Sequence, residues 1–221
     1  MALNIVRAPD GSVGVDCVTI LTPHSAAALK AAGAAFVVRY LGSLSIVERD
    51  AILGAGLGLM LVTFSRAPGW PSANGPIFPS AELGASDGAS SVAQAKKLGL
   101  PAGVQLWRDF EGPPAGTTAE QTIAYVNAWT DAVVAAGYVA GLYVGFGIPL
   151  TPEQLYDLKV TAYWHSCSQV PEVAVRGYQM RQAYPPNQTL GGVSVDIDHV
   201  SADAMGDTPL MLVDAPDTVA A

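Results

Sequence analysis

The chain alternates between short apolar runs and longer amphipathic segments, and this pattern predicts strands and helices in turn. Short apolar runs bounded by Gly, Pro or Asp are typical of buried strands, whereas most of the segments between them begin at Ser or Thr and end at or just before Gly. The predicted strands are 12–17, 36–41, 57–64, 104–109, 139–146, 160–164, 175–182 and 192–198. The predicted helices are 22–33, 45–56, 85–98, 117–137 and one that begins at Thr151.

Strands that alternate with helices predict a parallel sheet, and eight such strands can close into a TIM-type (β/α)8 barrel, which is an α/β fold. Because 221 residues are few for this architecture, we expect a compact, irregular barrel with some helices shortened or missing. The alternative is a doubly wound open sheet. Neither a G-x-G-x-x-G after the first strand nor a Walker A motif occurs, which argues against a nucleotide-binding version. We predict a barrel domain over 1–205 and an acidic tail over 206–221.

Acidic residues stand at the ends of three predicted strands. Asp109 and Glu111 end the fourth strand, and because side chains alternate with a period of two, they point to the same side. Asp16 ends the first strand, and Asp196 and Asp198 share one face of the last. The first and last strands of a closed barrel are neighbours, so we expect these acids to converge where the active sites of such barrels lie. One acid of such a group can hold a proton at neutral pH while another stays ionised.

Two further residues are candidates for the same site. Arg39 ends the second predicted strand beside Asp16, where it serves either as a counter-charge in the site or in a structural ion pair. Trp70 lies in the longest connection, 65–80, which leaves from the same face as Asp109 and Glu111.

Composition and charge restrict the classes of partner that the chain is expected to bind. With 11 basic and 19 acidic residues the net charge is −8, and no basic stripe occurs, so nucleic acid is not an expected partner. A glycan partner is expected to be neutral where it is gripped. The uncharged stretch 132–150 is interrupted by glycines and predicts a helix followed by a strand, so we expect no membrane span. The N-terminus lacks the pattern of a classical signal peptide.

No cofactor or metal ion is predicted. His199 follows Asp198 but points to the opposite face of the strand, so it cannot easily join Asp196 and Asp198 around a metal ion. The two cysteines form neither a C-x-x-C motif nor a cluster with histidines, and we expect free, buried thiols.

Several short motifs, in order along the chain, resemble those of glycoside-hydrolase-like proteins related to the family 25 lysozymes, including a group known only as a domain of unknown function. These are G-x-D at Gly14–Asp16, R-Y-L-G at Arg39–Gly42, D-x-E at Asp109–Glu111, G-x-Y at Gly141–Tyr143, the pair Tyr178-Gln179, and Val195-Asp196. The segment Tyr163-Trp164-His165 matches the aromatic segment of the family's sixth strand only loosely, and sugar-stacking aromatic residues are few.

The resemblance implies a role for each matched residue. Glu111 would be the general acid, with a pKa raised by its neighbour Asp109 and by partial burial, and Asp109 would stabilise the transition state or orient the N-acetyl group of the substrate. The substrate-binding residues would then be Asp16, Asp196, Asp198, Arg39, Tyr143, Gln179 and Trp70. Trp70 and Trp107 are candidates for stacking on sugar faces, although we favour a place in the core for Trp107.

The sequence therefore predicts a lysozyme-like glycoside hydrolase that cleaves β-1,4 bonds of peptidoglycan or a related aminosugar polymer. We expect synthesis in the cytoplasm and action at the bacterial cell wall, or carriage in a virus particle. The alternative is a non-catalytic glycan-binding or structural component of a phage particle or injection apparatus, with other virion proteins as partners. A third option is an intracellular α/β enzyme that acts on a small sugar.

Overall fold

The computed structural model describes residues 3–63 and 66–215. The strands of this part are β1 (Leu3–Arg7), β2 (Val13–Asp16), β3 (Phe36–Tyr40), β4 (Gly58–Thr63), β5 (Gln105–Phe110), β6 (Val139–Val144), β7 (Ala162–His165), β8 (Met180–Gln182), β9 (Gln188–Leu190), β10 (Val193–Val200) and β11 (Leu210–Asp214). Its helices are α1 (Pro23–Ala31), α2 (Ile46–Gly54), α3 (Ala81–Lys97), α4 (Ala119–Ala135) and α5 (Pro152–Tyr156).

Eight of these strands form a closed barrel in the order β2-β3-β4-β5-β6-β7-β8-β10. The ring closes because β4 also pairs with β5, and because β10 pairs with β2. The predicted α/β barrel is therefore confirmed, and the open-sheet alternative is wrong. The neighbouring first and last strands of the barrel place Asp196 directly opposite Asp16, as the sequence predicted.

The last barrel strand departs from the regular pattern. Strand β10 runs antiparallel to both of its barrel neighbours, β2 and β8, whereas the other pairs in the ring are parallel. A parallel crossover takes about a dozen residues or more, usually with a helix, and the short segment 183–192 instead contains β9, which folds back on β10. The two glycines of the turn, Gly191 and Gly192, both adopt positive φ angles that favour glycine.

The helices begin where Ser and Thr side chains cap them. Ser45 accepts a hydrogen bond from the backbone N–H of Glu48, and Thr118 forms a reciprocal capping box with Gln121. Helix α5 has only five residues, and the chain between β7 and β10 contains no helix. The late helices are thus shortened or missing, as expected for so short a chain.

The sheet continues outside the barrel. Strand β11 pairs antiparallel with β4 of the barrel and with β1. This strand lies within the segment 206–221 that the sequence analysis assigned to a tail, so residues 210–214 belong to the sheet. The boundary at residue 205 stays a prediction. Residues 216–221 of the predicted tail, Phe64 of the predicted third strand and Ser65 of the predicted long connection lie outside the described residues.

Two apolar layers follow from the alternation of side chains along the barrel strands. One layer lies between the strands and the helices and includes Leu29, Leu61, Leu106, Trp129 and Leu142. The other fills the interior of the barrel with Phe36, Val38, Met60, Trp107, Trp164, Met180 and Val200. This interior layer forms the floor of the barrel mouth, and polar side chains lie above it at the carboxyl ends of the parallel strands. Among the described residues, no helix is both long enough and apolar enough to cross a membrane.

Candidate active site

A pocket of about 210 Å³ opens at the carboxyl ends of the parallel barrel strands. Most of its lining side chains come from the ends of the strands, on the face that points into the barrel. The lining residues, together called the acid pocket below, are Asp16, Tyr40, Val62, Asp109, Glu111, Tyr143, Trp164, Cys167, Ser168, Gln182 and Asp196. Five of the predicted site residues therefore meet in one place: Asp16, Asp109, Glu111, Tyr143 and Asp196.

The glycines of the G-x-D and G-x-Y motifs make room for the floor of this pocket. A Cβ atom added at Gly14 would lie 2.4 Å from the ring of Phe36, and one added at Gly141 would lie 2.5 Å from the ring of Trp107. Each glycine stands two residues before a pocket side chain and so shares its inward face. A side chain at either glycine would displace an aromatic ring that supports the pocket.

The D-x-E motif places its acids at two depths. Asp109 belongs to β5 and is 5% exposed, whereas Glu111 follows the strand and is half-buried. Gly145 lies so close to Glu111 that an added Cβ would lie 2.1 Å from the Glu111 Cβ atom. On the other side, the indole N–H of Trp70 donates to the Glu111 carbonyl oxygen at 2.9 Å. Of the described residues, none donates a hydrogen bond to the Glu111 carboxyl group, which leaves it available to a ligand.

Gln182 connects several side chains of the acid pocket by hydrogen bonds. Its amide nitrogen Nε2 donates to Asp16 Oδ2 at 2.8 Å and to Asp196 Oδ2 at 3.1 Å. Its oxygen Oε1 accepts hydrogen bonds from the Tyr143 hydroxyl and from the backbone N–H of Cys167, both at 3.1 Å. This one side chain therefore holds two carboxyl groups and a phenol in fixed positions.

The neighbouring acids of the pocket act on Asp16, and no Lys or Arg is among the described lining residues. The pKa of Asp16 is raised to about 7, chiefly by burial and further by Asp196 and Glu111, while the hydrogen bond from Gln182 acts in the opposite direction. Burial also raises the pKa of Glu111. The sequence analysis expected this direction for Glu111 and named both Asp109 and partial burial as causes, and burial is the cause found.

Arg39 lies outside the acid pocket. Its guanidinium is fully buried, its Nε donates to Glu48 Oε1 at 2.8 Å, and its Nη1 donates to the carbonyl oxygen of Cys17. Of the two roles left open for Arg39, the structure gives it the structural ion pair. The predicted counter-charge for Asp16 is corrected because the carboxylate of Glu48, brought in by α2, occupies the position beside the guanidinium.

Trp70 and Gln179 are also placed away from the pocket. Trp70 is fully buried and packs edge-on against Phe110 and Tyr125, so no face of its ring is open to a sugar. Gln179 donates from Nε2 to Asp203 Oδ2 at 2.8 Å, and it precedes β8 and therefore lies at the other end of the barrel. Trp107 lies in the interior layer, as the sequence analysis favoured.

Asp198 lies beneath the pocket and does not line it. It is 0% exposed, and its Oδ1 accepts a hydrogen bond from Trp164 Nε1 at 2.9 Å. The interpretation of Asp198 as a residue that contacts substrate is corrected for this reason. The alternation along β10 correctly places Asp198 on the inward face, but Asp198 lies two residue pairs further from the mouth than Asp196 because β10 runs antiparallel.

Sequence reasoning missed Gln182, Trp164 and Tyr40. Each ends or nearly ends a predicted strand and points into the barrel, which is the same signal that singled out the acids. Gln182 was overlooked because the matched motif, Tyr178-Gln179, drew attention to the glutamine three residues earlier. Within the described part of the chain, no group of three or more His, Cys, Asp or Glu residues is placed to hold a metal ion.

Comparisons with known proteins identify the family and the fold of the chain. The sequence profile of a family described as "Rv2525c-like, glycoside hydrolase-like domain" matches residues 27–202. No curated protein sequence matches the chain.

Similar folds occur among solved structures. An uncharacterized protein of B. stearothermophilus has a TM-score of 0.64 at 18% identity, over 86% of this chain and 96% of that one. A lysozyme from Streptomyces coelicolor has a TM-score of 0.55 at 14% identity, over 90% and 95%. The modular autolysin LytC of Streptococcus pneumoniae has a TM-score of 0.53 at 12% identity, over 86% of this chain but 46% of LytC. LytC has also been solved with a synthetic peptidoglycan ligand. At these identities the likeness establishes the fold.

Proposed function

Because this chain belongs to the family of Rv2525c-like, glycoside hydrolase-like domains, we propose that it hydrolyses β-1,4 bonds of peptidoglycan or a related aminosugar polymer. One observation carries the proposal. Glu111 is a half-buried acid with a raised pKa, and it faces the same pocket as Asp109, Asp16 and Asp196. Cleavage of a glycosidic bond requires a protonated acid beside an ionised one, and a site with several acids in different surroundings supplies both.

Glu111 is the better of two candidates for the general acid. Burial raises the pKa of Asp16 to about 7 and so also favours a proton there at neutral pH. However, Asp16 is only 5% exposed, and one of its oxygens already accepts a hydrogen bond from Gln182. Glu111 is more accessible and its carboxyl group is not engaged by any described residue, so it can reach the oxygen of the leaving sugar.

The remaining residues suit the other requirements of the reaction. Asp109, deeper in the pocket than Glu111, stabilises the positive charge that develops on the sugar ring, or orients the N-acetyl group as an internal nucleophile. Asp16 and Asp196 accept hydrogen bonds from sugar hydroxyls. Gln182 takes the positioning role first assigned to Gln179, since it holds both of these acids and the Tyr143 hydroxyl.

The substrate class follows from the charge of the site and from the structural neighbours. The described lining residues of the pocket include four acids and no Lys or Arg, so the part of the substrate that enters should be uncharged. The sugar backbone of peptidoglycan meets this condition, and the neighbours of similar fold include a lysozyme and an autolysin solved with a synthetic peptidoglycan ligand. Action at the bacterial wall, or delivery to it in a virus particle, is part of the proposal.

One observation favours a second function, a non-catalytic glycan-binding or structural module on the same barrel. Trp70, the residue expected to stack on a sugar, is fully buried. The aromatic side chains that line the pocket are Tyr40, Tyr143 and Trp164, and Trp164 is only 2% exposed. With few open rings, the pocket is poorly equipped for the stacking that usually holds a sugar for catalysis.

Replacing Glu111 by Gln separates the two functions. If the chain is a hydrolase, Glu111→Gln should reduce the clearing of a purified peptidoglycan suspension by about 10²–10⁴-fold, because a general acid contributes about that much. The melting temperature should stay close to that of the wild type, since Glu111 makes no side-chain hydrogen bond to a described residue. Glu153→Gln, an exposed carboxylate on α5, is the matched control and should clear the suspension like the wild type. Equal inactivity of all three proteins, combined with binding to the glycan, would establish the second function instead.

A further inference from the structure

A buried acid lies directly below the acid pocket and is not used in the mechanism above. Asp198 is 0% exposed, and only one of its oxygens, Oδ1, receives a hydrogen bond from an N–H group, that of Trp164. The other oxygen, Oδ2, is buried and has no such donor among the described residues. The carboxyl group of Asp16 lies on the same inward face, diagonally across the pair of β2 and β10, because Asp198 pairs with Gly14 and Asp196 pairs with Asp16. Two carboxyl groups can share a hydrogen bond only if one of them carries a proton, so a partner for Oδ2 on Asp16 requires a proton on one of the two.

The surroundings of Asp198 and Asp16 indicate that Asp198 is the residue that carries the proton. Asp16 accepts a hydrogen bond from Gln182 Nε2 at 2.8 Å and lines the pocket, whereas Asp198 is enclosed on every side. The titratable groups that face Asp198 are Asp16 on β2 and Asp196 on its own strand, and both are acidic. The basic residues of β7, β8 and β10 point outward along the alternation, namely His165, Arg181 and His199. No described cation therefore offsets a negative charge on Asp198, and burial without a counter-charge favours the neutral acid.

We infer that Asp198 is a positioning residue that carries a proton beneath the floor of the acid pocket and donates its O–H to the Asp16 carboxyl group. Trp164 and Asp198 then form a short chain of donors, from indole N–H to carboxyl to carboxyl, that ends at the pocket. Asp16 is held from two sides, by this O–H and by the amide of Gln182. Its consequence for turnover rests on the proposed function, but the proton on Asp198 is a property of the folded chain alone.

The pKa values agree with this geometry. Burial raises the pKa of Asp198 well above its ordinary value, with a further increase from Asp16. The hydrogen bond from Asp198 acts in the opposite direction on Asp16 and lowers its pKa, against the larger effect of burial. Asp198 thus supplies a neutral donor that keeps Asp16 more acidic than it would otherwise be.

The test compares two variants by unfolding in urea across a pH series. In Asp198→Asn the amide reproduces the neutral acid, since its oxygen can accept from Trp164 and its NH2 group can donate to Asp16. The native wild type keeps the Asp198 proton above about pH 4, where the unfolded chain loses it, so raising the pH favours unfolding. The unfolding constant of the wild type should therefore rise relative to that of Asp198→Asn by up to about tenfold per pH unit between about pH 4 and 7. Asp131→Asn, which removes an exposed carboxylate, controls for the change in net charge.

Parallel pH dependence of the wild type and Asp198→Asn would overturn the inference, because it would mean that native Asp198 is ionised. Should Asp198→Asn fail to fold, the infrared spectrum of the wild type at neutral pH gives a second measurement. A carbonyl band of a buried protonated carboxyl group that persists in Glu111→Gln and Asp16→Asn supports the inference, and its absence contradicts it. Neither measurement needs a substrate, so failure of the proposed hydrolase would not affect them.

If the chain hydrolyses glycan, the pH profile of hydrolysis tests the positioning role of Asp198. Asp198→Asn should keep the pH profile of the wild type. Asp198→Leu cannot donate to Asp16, so the part of the pH profile that follows the ionisation of Asp16 should move to higher pH. A profile of Asp198→Asn displaced to lower pH would show that a negative charge had been removed, and would contradict the assignment.

Discussion

The buried ion pair between Arg39 and Glu48 yields a prediction that separates a structural role for Arg39 from a role in substrate binding. The two side chains are 0% and 1% exposed, and Nε lies 2.8 Å from Oε1. Arg39 also donates to the Cys17 carbonyl oxygen, and Glu48 accepts from the backbone N–H of Leu21 at 2.8 Å. The pair therefore anchors both ends of segment 17–21, which follows Asp16.

The expected effect of Arg39→Met is large. Removing one partner of a buried pair leaves the other charge without compensation, which costs about 3–5 kcal/mol. For a chain of this size each kcal/mol shifts the melting temperature by about 2–4 °C, so a decrease of roughly 6–20 °C is expected. Replacing both partners with apolar residues is often neutral or stabilising by about 1–4 kcal/mol, although the Leu21 N–H would lose its acceptor at a cost of about 1–3 kcal/mol. The double variant Arg39→Met, Glu48→Leu should then be close to the wild type in stability.

The assay is urea unfolding of the wild type, both single variants and the double variant at neutral pH. The coupling between the two positions should appear as several kcal/mol of non-additivity. An exposed ion pair serves as the matched control: Arg181 and Glu172 are 44% and 61% exposed, and Arg181→Met should cost at most about 1 kcal/mol.

A different outcome would refute the reasoning. If Arg39→Met unfolded like the wild type while its affinity for a soluble glycan fragment fell, the guanidinium would belong to the binding site, as the sequence first suggested. Additive effects of the two single variants would also contradict the structural pair, since they would show that Arg39 and Glu48 do not stabilise each other.

Three further predictions concern the pocket. Gly141→Ala places a Cβ atom 2.5 Å from the Trp107 ring and should cost roughly 1–3 kcal/mol in urea unfolding; an unchanged stability would mean that close packing does not explain the glycine. Trp70→Phe removes the hydrogen bond to the Glu111 carbonyl oxygen, so it should lower the free energy of unfolding by about 0.5–1.5 kcal/mol. It should also slow glycan hydrolysis without weakening glycan binding. Weaker binding at unchanged turnover would instead support stacking of Trp70 on a sugar. Asp16→Asn should make stability less dependent on pH, measured by unfolding at several pH values. With its pKa raised to about 7, native Asp16 stabilises the fold fully below about pH 4 and loses this contribution as the pH rises through about 7, so an unaltered slope would contradict the raised pKa.

The barrel and half of the candidate site could be predicted because they depend on local periodicity. An alternation of period two decides which face of a strand a residue occupies, and closure of the ring brings the first strand beside the last. These two rules were enough to bring Asp16, Asp109, Glu111, Tyr143 and Asp196 together.

The errors concern residues whose partners are distant in the sequence. Arg39 ends its strand as predicted, but the pattern of that strand does not reveal that Glu48 on α2 will be buried beside it. The place of Trp70 in a long loop makes it a candidate for stacking on a sugar, yet its ring packs under the loop against Phe110 and Tyr125. A loop position indicates exposure of the backbone and says little about a large apolar side chain.

The direction of β10 was also missed, although the connection between β8 and β10 is too short for a helical crossover and could have revealed it. The consequence is chemical. On a parallel strand, Asp198 would be nearer the mouth than Asp196, and on the antiparallel strand their order is reversed. The residue that seemed placed to meet substrate thus became a buried neighbour of Asp16.

Among the described residues, the acids inside the barrel have no Lys or Arg beside them, and this restricts which substrates the pocket can admit. In the described residues, the buried guanidinium of Arg39 is committed to Glu48 outside the pocket, while Asp16 and Asp196 are held by an amide. Hydrogen bonds from neutral donors fix carboxyl groups without neutralising them, so the pocket stays negative wherever they are ionised. An anionic group that entered would meet this field at short range, and the net charge of −8 would oppose its approach. We therefore expect a wall polymer to present its uncharged sugar rings to Glu111, with the carboxylates of its peptide branches directed away from the barrel.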